Sequence, residues 1–240
     1  MPTQNLLYKR EIAINDGIKI VVPTVGEILE NEDGYYGMVS ALTAMPIDMM
    51  VQLDDMGLDF TKINDYQLFL MLFGGLKSQD THLVFGDLDL NRFQPAINEE
   101  TQSIALVDSE SDIVIDRSVQ RRIAATLRTI HHLEQDRHKP GNDEAREYMI
   151  ERARIKMKRN AKRGRKSQLE PLIVAMVNAE QYKYDFEGTL GLTIYQFNEC
   201  VRQIIRKVDY EHRMFGVYMG TVKASELSKD ELNWVTDGGK

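Results

Sequence analysis

The chain has 240 residues, 42% of them hydrophobic and 28% charged, with 37 acidic against 30 basic side chains and a formal net charge of −7. That composition suffices for one large or two small globular domains, and its acidic balance excludes a general polyanion binder. Its one cysteine, Cys200, excludes an internal disulfide framework and fits a reducing compartment such as the cytoplasm; neither a secretory signal pattern nor an apolar run of membrane-spanning length is present.

The predicted fold class is α+β, in which an N-terminal hairpin and short helices accompany a small, mainly antiparallel sheet and precede a mainly helical C-terminal half. The expected division is an α+β domain over 1–116, a long helix plus a charge-polarised basic helix or linker over 117–166, and a helical module over 167–240.

In chain order, residues 9–14 and 18–22 are β-rich runs around Asn15-Asp16-Gly17, a hairpin signal because these turn residues tolerate positive φ. Pro23 stops the second run. Thr24 and Glu27 have capping-box spacing, so a short helix follows over 25–31. Helices are expected next at 35–44 and 46–56, and another from Asp65 that sets Leu68, Phe69, Leu72 and Phe73 on one face. Met38, Met45, Met49, Met50, Met56 and Met71 recur in this part and are read as gap-filling core in preference to an adaptable groove.

From 82 to 115 the pattern alternates, and strands are expected at 83–85, 88–93, 103–107 and 113–115. Asp116 then caps a long helix over 117–138, with Val119, Ile123, Leu127 and Ile130 as its apolar stripe.

Lys139-Pro140-Gly141 ends that helix, and a charge-polarised one begins at Asn142 or Asp143, where Glu144 and Glu147 suit the positive end of the helix dipole. Its sign then reverses. Arg152, Arg154, Lys156, Lys158, Arg159, Lys162, Arg163, Arg165 and Lys166 follow without an acid among them. A helix polarised in this way is self-consistent as a solvated face. The other reading is an anionic partner, either nucleic acid or an acidic protein surface; few aromatic residues are interleaved, so base stacking is not signalled.

Beyond the basic run, Ser167 and Glu170 form another capping-box pattern ahead of Leu169, Leu172, Ile173, Met176 and Val177. Residues 182–189 read as a connection. Thr193 and Gln196 cap a helix over 194–208 whose buried side is Phe197, Val201, Ile204, Ile205 and Val208. The aromatic stretch 214–222 and a last short helix from Ser228, carrying Trp234, close the chain.

Candidate chemistry is thin, and no metal or cofactor is expected. Asp87, Asp89 and Asn91 alternate like the start of a calcium loop, but Arg92 and Asn98 stand where the glycine and the bidentate glutamate belong. Asp108, Glu110 and Asp112 fail in the same way, with Val119 at the closing position. His131, Glu134 and His138 fall on one side of the expected 117–138 helix, yet they lack an established zinc spacing and read as polar residues beside the core stripe. Cys200 has no neighbouring base and reads as a small buried hydrophobe. Gly74-Gly75-Leu76-Lys77 follows a helix and is no phosphate loop. A non-enzymatic protein is therefore expected.

Pro23-Thr24-Val25-Gly26-Glu27-Ile28-Leu29, Val114-Ile115-Asp116-Arg117, Ile194-Tyr195-Gln196-Phe197-Asn198, and the closing residues 214–222 with Leu232-Asn233-Trp234 resemble proteins encoded in the tail modules of phages and prophages of Gram-positive bacteria. The resemblance implies a tail or baseplate protein or assembly chaperone, similar to baseplate hub assembly proteins. It further implies tail or baseplate structural proteins as partners, and a place in the host cytoplasm or the virion. The basic residues 152–166 would contact such a partner, or nucleic acid as the alternative. Phe215, Tyr218 and Trp234 would dock another protein or pack on the 194–208 helix.

Overall fold

A computed structural model describes residues 5–98, 103–161, 166–228 and 231–235. The fold is α+β, with a two-stranded and a three-stranded antiparallel sheet in the N-terminal half and helices throughout the C-terminal half.

The chain opens with β1 (Glu11–Ala13) paired to β2 (Lys19–Val21). Alternation puts Ile12, Ile14, Ile18, Ile20 and Val22 into the core, while Glu11 and Lys19 pair on the solvent face. The turn differs from expectation in its mechanism. The Asn15 side chain accepts from the backbone N–H groups of Gly17 and Ile18, and Gly17 does not have positive φ. Glycine is required there because a Cβ would sit 2.6 Å from Cγ1 of Ile113.

Helix α1 (Val25–Glu30) has the expected capping box at Thr24 and Glu27. Helix α2 (Glu32–Thr43) starts at an Asn31 cap, and α3 (Met50–Asp55) follows a turn at Pro46. Helix α4 (Asp65–Leu76) is capped reciprocally by Asn64 and Gln67. Of the methionines read as core, Met38 and Met45 are buried and Met49 and Met50 pack beside them, but Met56 and Met71 are exposed.

Two expected strands are helical turns instead. Residues 83–85 lie in α5 (His82–Phe85), begun by Asp80, whose carboxylate accepts from His82 N–H, and ended by Gly86 at φ 62°. Residues 88–93 centre on a 3-10 turn, Leu90–Arg92, capped by Asp89, so Leu90 and Phe93 both turn inward. The strand comes later, as β3 (Gln94–Asn98). It pairs with β4 (Ser103–Asp108), which pairs with β5 (Ile113–Ile115). β3 is an edge strand, the place in a sheet where Pro95, which has no N–H, is tolerated. Residues 99–102, between β3 and β4, lie outside the described residues.

Helix α6 (Arg117–His131) is shorter than the 117–138 expectation. It ends in a Schellman arrangement with His132 in the left-handed region, where Leu133 N–H donates to Arg128 C=O and His132 N–H to Thr129 C=O. A histidine takes this place of glycine because its ring pairs with Glu199 at 3.2 Å and stacks on Tyr195. Those partners lie far along the chain, so the sequence did not signal the stop.

Helix α7 (Asp143–Ala161) is followed by α8 (Leu169–Val177). Ser167 Oγ accepts from Glu170 N–H as expected, but the free N–H groups of Gln168 and Leu169 donate to the Glu32 carboxylate of α2. Burial opposes the charge on Glu32, yet the hydrogen bonds from Ser167, Gln168 and Leu169 hold its carboxyl below the usual range. Glu32→Ala is expected to lower stability by about 1–2 kcal/mol at neutral pH, measured by urea unfolding. The depressed folded pKa makes this contribution full above the ordinary glutamate range, and it fades on acidification as the carboxylate is protonated.

The 182–189 connection contains part of a further helix, α9 (Phe186–Gly191), capped by Asp185. Helix α10 (Ile194–Tyr218) runs ten residues past the expected end at Val208, and Ile205, expected to be buried, is exposed. Its start is tied to the start of α1: Thr24 and Thr193 form a bridge, Val25 N–H donates to Leu192 C=O, and Ile194 N–H donates to Pro23 C=O.

One core cluster runs from Leu6 to Phe197 and draws on residues of all three segments 1–116, 117–166 and 167–240. A second, smaller cluster joins Met45, Ile47, Leu53, Phe60 and Leu68 to Ile150 of α7.

Candidate partner-binding surfaces

Helix α7 begins where Asn142 Oδ1 accepts from Ala145 N–H at 2.8 Å, with Asp143 and Glu144 in the first turn and Lys158 and Arg159 in the last. One side is docked. Ile150 and Met149 enter the second cluster, Arg146 pairs with Asp59 at 2.8 Å, and Arg154 reaches Asp54 at 2.8 Å and Asp55 at 2.7 Å at the end of α3. Arg154, read from sequence as a partner contact, is thus engaged inside the protein.

The remaining cations divide by helical position. Arg152, Lys156 and Arg159 share the outward side of α7 with exposed Tyr148 and Ile155, and the Arg152 guanidinium lies 5.7 Å from the Tyr148 ring centroid. Lys158 and Met157 are exposed further round, and Lys166 is exposed ahead of α8. Lys162, Arg163 and Arg165 lie outside the described residues. One aromatic and one aliphatic side chain, Tyr148 and Ile155, sit within the basic face, in keeping with a run that has few aromatic residues.

The second surface is the far end of α10, a helix about 37 Å long. Its apolar stripe descends from fully buried Phe197 through half-buried Val201, Ile204 and Val208 to exposed Phe215 and Met219, all on one side of the helix. The helix closes in a Schellman motif: Thr221 N–H donates to Gly216 C=O, Gly220 N–H to Val217 C=O, and Gly220 has φ 73°.

The chain then returns along a different side of α10. Arg213 pairs with Glu231 at 2.9 Å, Arg206 donates to Asn233 C=O, and Lys207 Nζ lies 5.8 Å from the Trp234 ring centroid. The three aromatic residues read together from sequence therefore separate: Trp234 lies against α10, whereas Phe215 and Tyr218 are 66% and 86% exposed. The last helix expected from Ser228 falls partly outside the described residues, although Ser228 and Glu231 exchange hydrogen bonds.

No zinc constellation forms at His131, Glu134 and His138, because α6 ends at His131 and the latter two lie on the chain beyond it. The His131 ring is turned inward and shares a 2.8 Å hydrogen bond with the Tyr35 hydroxyl. Asp89 caps a turn, and Asp108 accepts from Ser111 and Glu110 while pairing with Arg92. Burial pushes the Cys200 thiol up, the direction that withholds a reactive thiolate.

Sequence reasoning missed two features. Met219 continues the α10 stripe at the same helical period, a signal masked by Glu211, His212 and Arg213. Arg117, Arg121 and Arg128 line one side of α6, away from its apolar stripe. Among protein families, curated proteins and solved structures, none matches this chain.

Proposed function

We propose that this chain is a non-enzymatic phage tail or baseplate protein or assembly chaperone that acts through protein–protein contacts, in the host cytoplasm and then at the growing virion. The identity of the partner rests on the resemblance in 23–29, 114–117, 194–198 and 214–222. The contact function rests on one observation: the apolar stripe of α10 leaves the core and ends on exposed Phe215 and Met219. A partner that buried Phe215 would gain about 1.5–3 kcal/mol from that side chain, roughly a tenfold or greater effect on affinity.

The test is affinity capture of tagged protein from a nuclease-treated lysate of an induced lysogen, with the recovered proteins identified by mass spectrometry. Tail or baseplate structural proteins are expected with the wild type and are expected to be lost with Phe215→Ser plus Met219→Ser. Recovery of no structural protein overturns the reading.

The outward basic face of α7 favours one alternative, a nucleic-acid-binding module. That reading requires capture to be nuclease-sensitive and abolished by Arg152→Gln, Lys156→Gln and Arg159→Gln, with affinity falling steeply as salt rises.

A further inference from the structure

A cleft of about 1150 Å³ lies along α6 and is lined by no residue of α7 or α10. Arg117, Arg121 and Arg128 recur at spacings of four and seven and share one side of the helix; Ala124, between them, forms a low floor. Met45, Pro46, Ile47, Phe60 and Ile63 make the opposing wall, and residues 135–139 the rim.

The charge in the cleft is unbalanced. Arg117, Arg121, Arg122, Arg128, Arg137 and Lys139 face Asp65, Asp116 and Asp136. Asp116 is engaged by Val119 N–H at the start of α6, and Asp136 by His138 N–H. Among the described residues, none of those six cations is within ion-pair distance of a carboxylate. Arg128, half-buried, donates to Thr43 C=O.

From these features we infer that the α6 cleft binds an acidic, extended peptide segment of a partner protein, with its carboxylates on Arg117 and Arg121. The dimensions agree. Arg117 and Arg121 are about 6 Å apart along the helix axis, and alternate residues of an extended strand are about 6.6 Å apart. Acidic side chains at alternate positions therefore meet Arg117 and Arg121, while the intervening side chains face the apolar wall. Arginine also suits carboxylates through its paired, planar donors. Nucleic acid fits less well, since Phe60 is 4% exposed and His138 on the rim is the one exposed aromatic ring in the lining. The inference does not depend on the tail-assembly reading, which uses other surfaces.

The test is a synthetic array of octapeptides with Asp or Glu at alternate positions and Leu, Ile, Val or Phe between them. Binding of the best fluorescein-labelled member to full-length protein is then followed by anisotropy. Saturable one-to-one binding is expected, weakened at least tenfold by Arg117→Gln plus Arg121→Gln. Both residues are exposed, so thermal unfolding should be unchanged. The amide version of the peptide, with Asn or Gln at the acidic positions, should not bind. Absence of binding across the array, equal binding by the double variant or the amide peptide, or displacement by oligothymidylate at lower concentration than by unlabelled peptide would each overturn the inference.

Discussion

Phe197→Ala is expected to lower the unfolding free energy by about 3–5 kcal/mol, whereas Phe215→Ala should change it by no more than about 0.5 kcal/mol. The two phenylalanines lie five helical turns apart on the same side of α10. Phe197 is fully buried, edge-on to Tyr182 with centroids 6.5 Å apart, in the first turn of a helix whose cap is bridged to the cap of α1. Truncation there leaves a cavity in the cluster that joins the opening hairpin to α6 and α8. Phe215 has little to lose, because most of its ring already meets solvent. Urea unfolding of both variants checks the contrast. A large loss at Phe215 would mean that its side chain is part of the core and not of a docking stripe.

Acidification from pH 6.5 to about 4 is expected to remove up to about 3 kcal/mol of stability through His131 alone. Burial, with the neighbouring charge of His132 adding to it, lowers the His131 pKa to about 4. Its Nε2 shares a hydrogen bond with the Tyr35 hydroxyl, whose own pKa burial raises far above the ordinary phenol value, so the hydroxyl stays protonated. Tyr36 packs edge-on beside the same ring. The sign follows from proton counting. Between the two pKa values the unfolded chain binds a proton that the folded one refuses, so stability is full above about 6.5 and falls as pH drops toward 4. His131→Gln removes the titration, and the slope of melting temperature against pH in that window should flatten relative to wild type. An unchanged slope would place the acid sensitivity in other groups.

The elements that sequence located well are those whose instructions are local. Thr24 with Glu27, Asp116, and Thr193 with Gln196 each cap a helix where expected, because a capping bond closes within three or four residues. The alternation of Ile12, Ile14, Ile18, Ile20 and Val22 likewise named a buried hairpin face. Residues 83–85 and 88–93 misled because a short apolar run carries too few residues to separate period 2 from a single helical turn; the Asp80 carboxylate, which accepts from His82 N–H, and the Asp89 cap hold the turns that form.

The candidate surfaces were legible only in part. Sequence placed Arg152, Arg154, Lys156, Lys158 and Arg159 on one helix but could not say which side of it would dock. Asp54 and Asp55 capture Arg154, and Ile150 enters the second cluster, so the outward face is fixed by partners roughly a hundred residues away. The α6 cleft was not legible at all, since a row of arginines along a helix reads the same whether it faces bulk water or an apolar wall.

By itself, then, the sequence determined the α+β class, the hairpin, most helix starts and the polarity of α7, all set by interactions a few residues long. Tertiary structure decided where α6 stops, how α8 is capped, how far α10 extends, and which charges remain available. Each of these depends on a distant partner: Glu199 and Tyr195 for His132, Glu32 for the start of α8, Glu231 for Arg213 of α10, and α3 for Arg154. A local pattern fixes what a segment can form, but the burial and pairing that select its ends and its free face are known only once the chain has folded back on itself.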